Sequence, residues 1–418
     1  MNTYLLSDLL NSSLFSAEKL SDKPLSTIKQ SAQKSAIKKG IPNPTKEDWK
    51  YINLYKHIHT SFQLAELPLH NTMKVDSKIS AIVFLNGHYS STLSKNINKN
   101  VDIEVLDDIS LPESFNTLVN TKDNPFVDIN TSLFNHGIHV NCHPGEDISI
   151  QIHHFIGNSH DSQPLLCNPR LFISVQENAK VELLESYTIH GKHHIINEII
   201  ELDVHPNSSI DYTVNQTSLE ENYLFYGHYS TIKTKAISTI HIVNAGTAFT
   251  RNEINASLVE QHAEANIYGA ILTKKNEFID NHTVVNHIAP HCESNELFKH
   301  ILHDESTIVF NGKIFVFKDA QKTNAYQSNK SLLLSDNATL NTKPQLEIFA
   351  DDVKCSHGAT SGALDSDQLF YLISRGIPEN IAKTLLMKAF MNEIIDDIPN
   401  EDLKESIDVL ISHYLTRL

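Results

Sequence analysis

The chain has 418 residues, 34 Lys and Arg against 50 Asp and Glu for a formal charge of −16, and four cysteines. That length can bury a large core and suggests two or three domains. The acidic balance, with no run of five Lys or Arg, argues against nucleic acid or an anionic membrane as the main partner.

Met1 to Leu20 lacks a basic start and an unbroken apolar run, so it does not read as a signal peptide, and no apolar stretch approaches 18 residues. Cys142, Cys167, Cys292 and Cys355 are widely spaced with no Cys-x-x-Cys. A disulfide framework or zinc knuckle is therefore not expected, and a reducing cytoplasm is the simplest home. No G-x-x-x-x-G-K-[ST] is present; FNGK at 310–313 lacks the leading glycine and the Ser/Thr, so no ATPase is expected in this chain.

Residues 1 to about 60 read as helical, with Ile28, Ala32 and Ala36 at four-residue spacing before Gly40, Pro42 and Pro44. Thr45 and Asp48 predict a second helix start, ahead of a packed Trp49. From Val75 short alternating runs such as AIVFLNG replace helices. Between about 95 and 360, apolar anchors recur at Val181, Ile210, Ile240, Ile267, Ile308 and Leu340, with steps of 29, 30, 27, 41 and 32. A period near 30 built of short strands with Asn, Ser and Asp at the corners predicts a β-helix. The open ends of such a stack need caps, and terminal helices would supply them.

After Gly362 the period returns to 3.6. Asp365 should cap a helix ending near Arg375, Pro378 should open the next, to about 395, and a third should run over 401–417, its apolar residues ending at Leu418. The expected layout is a mainly β protein: an N-terminal helical domain over 1–94, a parallel β-helix (solenoid) core over 95–362 and a C-terminal helical domain over 363–418. The three C-terminal helices carry more apolar surface than they can bury among themselves, so part of it should meet the core or a partner.

The chain holds 24 histidines. His282, His287, His291, Cys292, His300 and His303 crowd one region, but their spacing fits no zinc or iron motif and most read as strand or loop positions. Cys142-His143 and His291-Cys292 would point to opposite strand faces. Cys355 and His357 are different, because residues two apart in a strand project together. A thiolate beside an imidazole suits iron or zinc, yet two ligands leave a site incomplete. Asp351 and Asp352 could be outer-shell acceptors but more simply cover the strand end.

The stretch KPQLEIFADDVKCSHGAT at 343–360, followed by DQLFYLISRGI at 367–377, resembles the SufB/SufD family of SUF iron-sulfur cluster assembly scaffolds. EDWKYINLYK at 47–56 resembles the family's amino-terminal region more loosely. The resemblance implies that His357 is a ligand for iron or a nascent iron-sulfur cluster, with Cys355 as neighbour or auxiliary ligand, shared with SufB. It also implies β-helix pairing with SufB and contact of the C-terminal helices with the SufC ATPase. Asn329 stands about where SufB is expected to hold a cluster-building cysteine, which points to the SufD branch. On this view the chain is not an enzyme, binds no cofactor stably alone and holds a transient cluster only in the complex. Without SufB it could pair with itself. The alternatives are a stand-alone metal-binding β-helix protein and a β-helix carbohydrate-active enzyme, the latter disfavoured by an aromatic share of 8% and no secretion signal.

Overall fold

The computed structural model describes residues 3–15, 23–66, 81–95, 97–119, 124–157, 163–217 and 219–416. Val75 and Leu418 lie outside them. From Ile138 to Gly362 the chain winds as a parallel β-solenoid. Successive strands alternate between a ten-stranded and an eleven-stranded sheet, so strands two apart in sequence are neighbours in space. The mainly β class with helices at both ends is the one expected.

The coil follows from the side-chain pattern. In Asp147–Ile156 the residues Ile148, Ile150 and Ile152 are buried while Asp147, Ser149 and Gln151 are exposed, the alternation of a sheet with one face on a core. Ile195–Val204, in the other sheet, is buried along its whole length. Its outer face is covered as well, in a region where Trp49, Ile52 and Phe126 pack over Phe225, Phe249 and Phe278.

Val181 stacks in register on Ile210, Ile240 on Ile267, and Ile308 on Leu340. The expected chain of anchors slips twice. Ile210 pairs with Ser238, two residues short of Ile240, and Ile308 lies in the opposite sheet from Ile267. The 41-residue step is thus one coil plus a crossing to the facing sheet.

One corner of the coil is a ladder of left-handed residues, Asn178, Asn207, Lys235, His262, His291 and Lys322, with φ between 56° and 64°. The N–H groups of Asn178, Asn207, Lys235, His291 and Lys322 reach carbonyls of the following coil, as from Asn207 to Thr234 at 2.9 Å and from His291 to Gln321 at 2.9 Å. Asn accepts this conformation readily, and at Lys and His the ladder bond offsets its cost.

Helix α1 (Pro24–Lys39) buries Ala32 and Ala36 and ends at Gly40, whose φ is 69°. The helix expected from Thr45 is instead a 3-10 turn, Glu47–Trp49, and the single-turn α2 (Leu54–His57). Thr45 donates its N–H and hydroxyl to the Asn43 side-chain oxygen at 3.0 and 2.5 Å, an Asx-type turn that takes the hydroxyl away from capping. Trp49 is buried beneath the Arg251 guanidinium, 3.9 Å from its ring centre, and Arg251 also donates to the Asp48 carbonyl at 2.9 Å and to Asp280. The strands Ile82–Leu85 and His88–Tyr89 fall inside the span read as N-terminal helical, and Ile82–Leu85 pairs with the solenoid strand Asp147–Ile156.

The sequence reading does not foresee α3 (Pro125–Leu133), capped by the Asn124 side chain, which accepts the Phe126 N–H at 3.0 Å. Its Val127 packs on Ile199 and Tyr229. After the solenoid come α4 (Ser366–Ser374), with Asp365 accepting the N–H groups of Asp367 and Gln368, then α5 (Glu379–Ile395) and α6 (Glu401–Leu415). Met387, Met391 and Ile394 of α5 and Ile407 and Ile411 of α6 pack on Val243, Ala270, Leu272 and Ile301 of the ten-stranded sheet.

Candidate functional site: the open end of the solenoid

The strands Thr339–Ile348 and Lys354–Gly362 end the two sheets, and each pairs with a strand on one side only among the described residues. Neither contains a buried residue. Cys355 and His357 both lie on this last strand.

Register places them on the inward face. One column of the solenoid runs Leu183, Tyr212, Ile240, Ile267, then Glu296, Gln327 and His357, so its apolar filling gives way to polar groups toward the open end. The neighbouring column runs Ser238, Ala265, Ser294, Ala325 and Cys355, small residues throughout. His357 is exposed, while Cys355 is half-buried against the core. Burial raises the Cys355 thiol above its usual range, with the Ala325 backbone opposing. The thiolate needed for metal binding thus requires help from a bound cation.

Behind His357 the polar column is only partly satisfied. Glu296 is fully buried and accepts hydrogen bonds from the Thr283 hydroxyl at 2.7 Å and from Gln327 Nε2 at 3.1 Å. Burial pushes its carboxyl up to about 7, against the pull of those two donors. Gln327 Oε1 is buried without a partner. The FNGK stretch has its glycine for this column: a Cβ on Gly312 would meet Gln327 Nε2 at 2.3 Å. Asn329 is buried on the same strand as Gln327 and accepts from the Ser331 hydroxyl at 3.1 Å.

Asp352 forms an ion pair with Lys322, and its carbonyl accepts the Lys322 N–H at 2.6 Å, so it fastens the corner before the strand. Asp351 is exposed. The histidine-rich region does not converge. His282 pairs with Asp280 at 2.9 Å, His287 with Ser294 at 2.8 Å, His300 with Ser331 at 3.2 Å and His303 with Asp304 at 2.9 Å, while His291 is an exposed corner residue stacked on His262. Cys142 and Cys292 are buried, whereas His143, just past the end of its strand, pairs with Asp102 at 2.8 Å, and His291 sits in the turn before the strand Glu293–Leu302, so the extended geometry assumed for the Cys-His neighbours is not the one found.

Two buried groups escape the sequence reading, Glu296 and the trio His154, Glu185 and Glu198. The available signal is a carboxylate at an inward position, as Glu198 between the core residues Ile196 and Ile200.

A two-sheet parallel solenoid with helical ends and an uncovered final edge has the build of a β-solenoid scaffold, and no helix among the described residues is long and apolar enough to cross a membrane. The family model for the SUF system FeS cluster assembly, SufBD core domain, matches residues 155–390. The chain is 27% identical to an iron-sulfur cluster assembly SufBD family protein of Synechocystis over 99% of both chains. It is 27% identical to the iron-sulfur cluster assembly protein SufD of Escherichia coli, over 89% of this chain and 88% of that one. A SufBD family protein of Pyrococcus horikoshii is 27% identical over 72% of this chain and 68% of its own length. The chain belongs to the SufBD family of iron-sulfur cluster assembly proteins.

Proposed function

We propose that this chain is a SufD-type, non-enzymatic scaffold subunit that pairs with SufB at the open end of its solenoid and with the SufC ATPase through its C-terminal helices. His357, with Cys355 beside it, supplies part of a ligand set for iron or a nascent cluster, and SufB supplies the rest. The observation that carries this reading is the position of Cys355 and His357 together on Lys354–Gly362, the strand that ends the ten-stranded sheet at its carboxy-terminal side and has a partner on one side only among the described residues. A free edge with an inward-facing thiol and imidazole is both a template for a second sheet and an incomplete donor set.

A second surface supports the SufC contact. α4 buries none of its residues; Phe370 is 73% and Tyr371 56% exposed, and Ile381 and Leu385 of α5 are exposed beside them. Apolar side chains left outward on a packed domain mark a docking face.

The test is co-expression of the tagged chain with the SufB and SufC of its host, followed by size-exclusion chromatography with mass measurement. A joint complex is expected, and its absence overturns the proposal. His357→Ala should leave the complex intact and lower cluster delivery in a SUF-dependent strain; undiminished delivery removes His357 from the ligand set.

A further inference from the structure

We propose that His154, Glu185 and Glu198, sealed between the two sheets, form a site for one divalent first-row transition ion taking nitrogen and oxygen donors. The site is distinct from the seam at His357 and does not depend on the reading given to that seam.

His154 and Glu185 belong to the ten-stranded sheet, and Glu198 comes from the facing sheet. His154 Nε2 lies 2.8 Å from Glu185 Oε1 and 3.1 Å from Glu198 Oε1, with all three side chains at zero exposure. The three donor atoms fall within 4.8 Å of one another. Each carboxylate is held from behind by phenols. The Tyr187 hydroxyl donates to Glu198 Oε2 at 2.7 Å, and Tyr212 and Tyr226 donate to Glu185 Oε2 at 2.7 and 3.1 Å. Both Oε1 atoms lie beside one imidazole nitrogen, with the Tyr187 hydroxyl also donating weakly to Glu185 Oε1 at 3.3 Å. The ring is fixed in its turn, stacked between its ladder neighbours Phe84 and Tyr187 at 5.0 and 4.9 Å.

As it stands the cluster is short of hydrogen bonds. One Nε2–H cannot serve two carboxylates, and Glu198 Oε1 has no hydrogen-bond partner. Both ring nitrogens of buried His228, whose ring stands edge-on to Tyr212 at 5.3 Å, are also unpaired. Two buried carboxylates beside one imidazole are costly without a compensating charge. A divalent ion offsets both carboxylates while the imidazole stays neutral. Bonds of about 2.0 to 2.2 Å place tetrahedral donors roughly 3.3 Å apart, so the two imidazole–carboxylate distances of 2.8 and 3.1 Å need to open by only a few tenths of an ångström. A mixed imidazole and carboxylate set selects Zn²⁺, Fe²⁺ or Mn²⁺ over Mg²⁺ or Ca²⁺. With no exposed donor, the ion enters as the coils close and then stays. This departs from the expectation that the isolated chain holds no cofactor stably.

The test is metal analysis of the full chain purified from cells grown with added Zn²⁺, Mn²⁺ or Fe²⁺ and dialysed against EDTA. Wild type should keep about one ion per chain for at least one of the three, and Glu198→Gln and His154→Gln should keep at least about tenfold less. His357→Ala should keep as much as wild type. No retained ion under any of the three conditions, or equal retention in folded Glu198→Gln, overturns the proposal. Should the variants fail to fold, X-ray absorption on zinc-loaded wild type decides: a shell of nitrogen and oxygen alone supports the site, and sulfur in the shell refutes it.

Discussion

The solenoid is finished differently at its two ends. At the first, Ile82–Leu85 turns antiparallel into His88–Tyr89, and Val101–Val105 runs antiparallel to Ile138–Cys142. Reversed strands stop the parallel ladder there, and Leu106, Phe115, Phe134 and Phe172 pack around them. At the second, Thr339–Ile348 and Lys354–Gly362 carry the parallel register to the rim and leave it uncovered. A sheet edge is an aggregation hazard that proteins normally blunt. Blunting one end and sparing the other is the asymmetry that the proposed pairing at the open end would use.

The largest expected effect tests the first end. Arg170 is buried with Glu201, 2.6 Å away, and Arg170→Ala leaves that carboxylate without its cation. A loss of about 3 to 5 kcal/mol in denaturant unfolding is expected. Next comes the column leading toward the second end. Burial raises Glu296 to about 7 in the folded chain, against an ordinary value of 4.5. Below pH 4.5 both states hold the proton and nothing is lost. Between 4.5 and about 7 the unfolded chain releases a proton that the folded chain keeps, so the folded state loses stability as pH rises. Glu296→Gln removes that loss, and its stability relative to wild type should climb by roughly 2 to 3 kcal/mol across that window in paired melts. A flat difference would mean that the column is wet.

A smaller effect is expected on the helical face. Phe370→Glu should weaken SufC binding by about 2 kcal/mol, roughly 30-fold, in calorimetry without changing the melting temperature. The smallest is at the rim itself. His357→Ala should shift unfolding by less than about 0.5 kcal/mol because the side chain is exposed. A loss of several kcal/mol there would erase the contrast between the ends. Truncation after Gly362 is a poor probe of either surface, since α5 and α6 cover Val243, Ala270 and Ile301.

How much of this is readable in the sequence depends on where the side chains point. The β-helix was legible because Val181, Ile210 and their successors mark one inward position per coil. The alternation between two sheets was not, since an anchor in either sheet carries the same letter, which is how Ile308 came to follow Ile267. α3 was hidden because PFVDINTSL is apolar enough to pass for a strand and only Asn124 and Pro125 mark its start. Cys355 and His357 were legible as a same-face pair, but their place at the rim follows only once the coils are counted. The trio around His154 was illegible. Glu198 and Glu201 sit three apart in one strand and are both buried, because Arg170 and the N–H groups of Asn116 and Leu118 meet Glu201 on the face that alternation assigns to solvent.

The clamp on Trp49 bears on how the molecule is made. Arg251, which holds Asp48 and Trp49 and is itself anchored by Asp280, follows them by some two hundred residues, and Lys343, which holds Glu47, comes later still. During synthesis the amino-terminal segment leaves the ribosome long before its seat exists. The part of the chain born first is therefore among the last to lock, and a ribosome stalled before residue 251 should display Trp49 to water and to proteases.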